Sequence, residues 1–258
     1  MQNQKLILLD FDGVIIDGIN EYWYSSLLAC RSYLESREIP NDLNLDQGIS
    51  EIFMELRPYV KYGWEMVLIT HEIIKKQDPL CNINKNIFID NYKNTCTQIL
   101  KNNNWSSALL QESLDKSRKK QISTDLHKWI KRHKPFNEVL EFMKKAKDLG
   151  FKTGIISTKA KEFTTMILKN NNVIPDMIFG YQSGKKIDII KNLSSEFNIT
   201  CFIEDRKKTL TTILQDNQTR NIPCFLAEWG YLKKHDKINL PSKINLLKLK
   251  DLTLLLAK

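Results

Sequence analysis

Two aspartates separated by one residue close an aliphatic run, Lys5-Leu6-Ile7-Leu8-Leu9-Asp10-Phe11-Asp12-Gly13-Val14. With ordinary carboxylate pKa values of about 3.9, both are ionised at neutral pH and repel each other. A bound divalent cation relieves that repulsion. Mg2+ suits such a pair, because it takes hard oxygen ligands and keeps several waters, so one or two carboxylates suffice. The same spacing also suits a turn at the end of a strand, where Asp is common. Farther along stand Ser157-Thr158-Lys159, Lys185-Lys186 and Glu204-Asp205. A Ser157 hydroxyl can donate to a phosphate oxygen or cap a helix. A lysine is a point charge for phosphate, or a surface residue in a lysine-rich chain. Consecutive acids after an apolar run pack poorly and ligate metals well.

These residues need elements to carry them. The run Leu6–Leu9 reads as a strand buried on both faces, with Asp10 and Asp12 at its carboxyl end, where open α/β sheets place ligands. Gly13 permits a tight turn there. Helical spacing follows over residues 21–38, with Tyr24, Leu27, Leu28, Tyr33 and Leu34 on one side, and then over residues 48–57, 59–75, 92–100 and 106–131. Residues 79–86 read as a loop. The basic run Lys116-Ser117-Arg118-Lys119-Lys120 reads as a solvated helix face, because no aromatic residues interleave it for base stacking. From Pro135 the texture alternates: helix 136–149 stopped by Gly150, strand 151–157, helix to Leu168, strand 175–179, helix 186–197, strand 199–205, helix 206–214 and strand 223–227. The expected architecture is α/β, a Rossmann-like three-layer parallel-sheet core with an inserted all-helical domain. Its boundaries are core 1–17, helical insert 18–134 and core 135–258.

Asp10-Phe11-Asp12-Gly13-Val14 resembles the first motif of the haloacid dehalogenase (HAD) superfamily, and the companions follow in that family's order. Ile155-Ile156-Ser157-Thr158-Lys159 resembles the second motif, with Ser157 as phosphate binder and Thr158 as the other candidate. Lys186 resembles the third-motif lysine by the register of Ile189, Ile190 and Leu193, and Lys185 remains open. Glu204-Asp205 resembles the fourth motif. The resemblance covers residues 5–17 and 135–230 and implies the HAD fold. It also implies an Mg2+-dependent phosphohydrolase in which Asp10 is the nucleophile and Asp12 the general acid and base. Asp10, Asp205 and the Asp12 backbone carbonyl would hold the metal, with Glu204 acting through water or behind the ligands. One departure stands out: where the family often places a further acid, this chain has Arg206-Lys207-Lys208-Thr209. A finer similarity is to uncharacterised HAD-like hydrolases of cyanobacteria and plants. It is carried by Leu56-Arg57-Pro58 to Glu65, by Glu204-Asp205-Arg206 with Thr209-Leu210, and by Trp229-Gly230-Tyr231.

The Asp10/Asp12 pair argues for phosphate over carbon as the electrophile, since a dehalogenase attacks carbon without a metal. The insert would be a cap that excludes water and selects a small phosphorylated metabolite. Arg57, Tyr59, Tyr62, Glu65 and His71 are its candidates for facing a cleft, while Trp229 packs. The rival readings are a phosphomutase and a non-catalytic module that binds an anion or a partner.

Composition narrows the class further. The 258 residues carry a net charge of +9, 42% hydrophobic residues and 27% charged residues, as a globular protein does. The basic balance draws anions but is weighted lightly in a chain so rich in Lys, Asn and Ile. The five cysteines lack CxxC spacing and the four histidines form no ligand-like pair, so zinc is not expected. Reduced thiols, no signal-like start and no membrane-length apolar run point to a cytoplasmic protein, a monomer or homodimer, with no nucleic-acid or membrane partner.

Overall fold

The computed structural model describes residues 4–34, 39, 40, 42, 44, 45, 48–76 and 85–257. Cys81 and the expected helix end at residues 35–38 lie outside these. The chain divides into two compact units: Met1–Asp17 with Lys134–Lys258, and Gly18–His133.

The first unit is built on a six-stranded parallel sheet. Its strands are β1 (Lys5–Leu9), β4 (Lys152–Ile156), β5 (Met177–Phe179), β6 (Asn198–Glu204), β7 (Cys224–Ala227) and β8 (Ile244–Leu247). Their order is β5-β4-β1-β6-β7-β8. Leu6, Ile7, Leu8 and Leu9 are all fully buried, so the strand is apolar from its exposed first residue, Lys5, to Asp10. From β1 the order runs outward through β4 to β5, then resumes on β1's other side with β6. That reversal makes the carboxyl end of β1 the switch point where doubly wound sheets bind ligands. Helices α7 (Asn137–Asp148), α8 (Lys161–Asn170), α9 (Lys186–Glu196) and α10 (Lys207–Gln215) connect the strands. α7 shows the logic of these connections. Val139, Leu140, Phe142, Met143 and Ala146 form its buried stripe, and Gly150, at φ +79°, ends it.

Two short strands escaped the sequence reading. β2 (Ile16–Asp17) pairs antiparallel with β3 (Lys134–Pro135), where the chain leaves the sheet unit and returns to it. Neither two-residue strand is long enough to show alternation. β8 was also missed, because its burial covers only its ends and its middle residues are exposed. A 3-10 helix, Leu249–Leu256, follows it.

The second unit is helical: α1 (Ile19–Tyr33), α2 (Glu51–Leu56), α3 (Gly63–Ile74), α4 (Lys85–Asp90), α5 (Tyr92–Asn102) and α6 (Ser107–Lys131). The expected helix 59–75 begins only at Gly63, since Arg57–Tyr59 forms a 3-10 turn around Pro58, and Tyr62 is exposed. α6 is kinked at Asp125, which has φ −159° and ψ 89°. Its Oδ1 accepts the Lys128 N–H at 2.9 Å, so Asp125 caps a second helical segment that brings Trp129 and Ile130 inward.

The basic run is not a uniformly solvated face. Arg118 and Ser117 are buried, and Arg118 Nε and Nη2 donate to the two Glu21 oxygens at 2.8 and 3.0 Å. Ser25 donates to Glu21 at 2.6 Å, and Gln121 donates to Ser25 at 2.8 Å. The partner in α1 lies 97 positions away, which no local pattern reports. Replacing Arg118 strands a buried carboxylate. Arg118→Met is therefore expected to destabilise the protein by about 3–5 kcal/mol in urea denaturation. The exposed neighbour Lys120→Met should stay within about 0.5 kcal/mol.

Candidate active site

The site assembles at the carboxyl ends of β1, β4 and β6, from segments far apart in the chain. Asp10 follows β1 directly, and its N–H donates to Ile203 O at 2.9 Å, locking it to the adjacent strand. Carboxylate oxygens of Asp10, Glu204 and Asp205 lie within 4.8 Å of one another, and all three residues are buried. Lys186, at the start of α9, reaches into this cluster. Its Nζ lies 2.7 Å from Asp10 Oδ1 and 2.7 Å from Glu204 Oε2. Lys185 is the exposed cap residue before α9, so of the two lysines it is Lys186 that meets the acids.

The electrostatics follow from crowding and burial. Burial first, and then the charge on Glu204, push the Asp10 carboxyl up to about 7, against the pull of Lys186. Burial likewise raises Glu204, with Lys186 opposing. Burial alone would lower Lys186, but the Asp10 and Glu204 carboxylates override it and hold the ammonium above the ordinary lysine range. Carboxyls displaced in this way, at the switch point of an α/β sheet, make this the candidate functional centre.

The other expected residues take distinct places. Ser157 is buried at the end of β4, and its Oγ accepts the Lys159 N–H at 2.9 Å, which leaves the hydroxyl proton available for donation. Thr158 is only half-buried. Asp12 is buried in the turn after β1. Lys159 was not singled out in the sequence, yet it is buried with Nζ 3.6 Å from Asp12 Oδ1. Nothing at sequence level joins positions 147 residues apart.

Asp205 is held from outside the four motifs. The Tyr231 N–H donates to its Oδ2 at 2.9 Å. Gly13, at φ +87°, and Gly230 are needed for close approach: a Cβ on either would come within 2.1 Å of Asp205 Oδ2 or 2.3 Å of Asp205 Cβ, respectively. Arg57, Tyr59, Glu65 and His71 each have partners inside the helical unit. Arg57 lies over the Tyr22 ring, Tyr59 against Tyr92, and His71 beside Glu72 at 3.0 Å. Glu65 accepts from the Tyr92 hydroxyl at 2.8 Å.

The donor set fits a hard cation. It is all carboxylate oxygen, and its charge exceeds the single Lys186 ammonium that bridges it.

A doubly wound sheet with an acid cluster at its switch point defines a class of α/β enzymes. The sequence pattern of haloacid dehalogenase-like hydrolases matches residues 65–208, more than half of the chain. The chain belongs to that family. Solved structures agree on the fold. A protein from Clostridium acetobutylicum described as a predicted phosphatase superposes with a TM-score of 0.58 at 15% identity, covering 98% of this chain and 97% of that one. A predicted phosphoglycolate phosphatase from Haemophilus somnus gives 0.56 at 11% identity, covering 97% of each. A haloacid dehalogenase-like family protein from Streptococcus pneumoniae gives 0.54 at 13%, covering 95% of each. No curated protein matches the chain. Among the described residues, no helix is long and apolar enough to cross a membrane.

Removing the Lys186 ammonium leaves Asp10 and Glu204 without the charge that bridges them at 2.7 Å. Lys186→Met is expected to destabilise the protein by about 3 kcal/mol or more. Adding Glu204→Gln to that variant should recover part of the loss, read from denaturation midpoints.

Proposed function

We propose that this hydrolase is an Mg2+-dependent phosphatase acting on a small phosphorylated metabolite through an aspartyl-phosphate. The observation that carries the reading is the convergence of Asp10, Glu204 and Asp205 around Lys186 at the end of β1.

A phosphate ester would lie with its phosphorus against Asp10. Ser157 would donate its hydroxyl proton to one phosphoryl oxygen, with the half-buried Thr158 beside it, and Lys186 would place its positive charge near the same group. An Asp10 carboxylate oxygen attacks phosphorus, the P–O bond to the alcohol breaks, and Asp12 passes a proton taken up from solvent to the departing oxygen. Asp12, now a carboxylate, takes a proton from water as that water attacks the aspartyl-phosphate. Inorganic phosphate and free Asp10 result. Mg2+ held by Asp10, Asp205 and the Asp12 backbone carbonyl would supply charge neutralisation for the transferring group. Glu204 stands behind them and orients Lys186, whose ammonium it meets at 2.7 Å. The helical unit Gly18–His133, inserted between β2 and β3, is read as the cap that selects the substrate. The likeness to cyanobacterial and plant hydrolases is a kinship carried by the three segments that suggested it.

With p-nitrophenyl phosphate and Mg2+, the parent protein should release inorganic phosphate, and EDTA should stop turnover until Mg2+ is restored. Asp10→Asn should lower turnover by about 1000-fold or more, equivalent to ~4 kcal/mol of barrier. Parent-level hydrolysis by that variant removes Asp10 as nucleophile. Phosphoryl return to a sugar, in place of free phosphate, identifies a mutase.

A further inference from the structure

The loop after β7, Trp229-Gly230-Tyr231, makes four contacts with the two segments that carry the acids. Trp229 Nε1 donates to Val14 O at 3.0 Å, in the turn that follows Asp12 and Gly13. Gly230 lies so close that a Cβ there would stand 2.3 Å from Asp205 Cβ and 2.8 Å from Gly13 O. The Tyr231 N–H donates to Asp205 Oδ2 at 2.9 Å, and its hydroxyl donates to Asp17 Oδ1 at 2.6 Å. One three-residue loop thus touches the β1–β2 turn at both ends and the carboxylate that follows β6.

We infer that this loop is a clamp: it sets the separation between the Asp10–Gly13 turn and Asp205, and thereby the affinity of the site for its divalent cation. The inference rests on the metal reading above and assigns Tyr231 and Trp229 as positioning residues for it. The physical need is plain. The ground after Asp205 where a further acid was expected is Arg206-Lys207-Lys208, so no carboxylate from α10 braces this ligand. A backbone N–H does so instead, aimed at the oxygen by a glycine on one side and a phenol anchor on the other. Asp17 closes β2, which pairs with β3, so the anchor lies on a hydrogen-bonded element. Partners behind metal ligands govern affinity because they fix ligand orientation, and their loss typically costs 10–100-fold.

The test is Mg2+ binding to the full chain by isothermal titration calorimetry, without substrate. Tyr231→Phe deletes one hydrogen bond and keeps the ring, Trp229→Phe deletes one and leaves a smaller ring, and each is expected to raise Kd by about 10-fold. Asp17→Ala should act like Tyr231→Phe, and the double variant should be no weaker than either alone, since both remove the same bond. Gly230→Ala should weaken binding further; if it fails to fold, the two ring variants still decide. Variants with a lowered melting temperature but a Kd within about twofold of the parent's overturn the inference and leave the metal reading standing. A parent that binds no Mg2+ overturns both.

Discussion

Like-charged carboxylates gathered in a buried cluster are the constraint on which the sheet unit is organised. Asp10, Glu204 and Asp205 have oxygens within 4.8 Å of one another, and desolvation penalises every one of those charges. The fold meets the penalty with an ammonium: Lys186 sits 2.7 Å from two of the three. A dry ion pair alone seldom stabilises a core more than packed hydrophobic residues do, whereas a centre with surplus negative charge accommodates a hard cation and, beyond it, an anion.

Several contacts hold the residues around this cluster in place. β1 is aliphatic from Leu6 to Leu9 and is flanked by β4 and β6, and the Asp10 N–H is bonded to Ile203 O of β6. Ser157 is tied by its own turn, and Asp205 by Tyr231 and by two glycines whose missing side chains make the approach possible. On the proposed reading, phosphoryl transfer asks mainly for positioning, and a site held from several strands would supply it.

The helical unit solves a separate problem with similar means. Its buried Glu21–Arg118 pair, backed by Ser25 and Gln121, ties α1 to α6 where an all-apolar seam would also pack. Arg57, Glu65 and His71, which from sequence are candidates for facing a cleft, meet the Tyr22 ring, the Tyr92 hydroxyl and Glu72 within this unit.

Much was already decided by the order of residues. Helices and strands with strong periodicity, such as α7 and β6, declare themselves because a buried stripe or a buried run is a local property. The motif acids and Ser157 are legible because strand ends place them, and strand ends are local too. What the tertiary structure alone decided is which distant groups meet: Lys186 and not Lys185 on the acids, Lys159 beside Asp12, Arg118 inward to Glu21, and Tyr231 on both Asp205 and Asp17. Those pairings span tens to hundreds of residues. Their strength comes from burial and low dielectric, which exist only once the chain has closed around them.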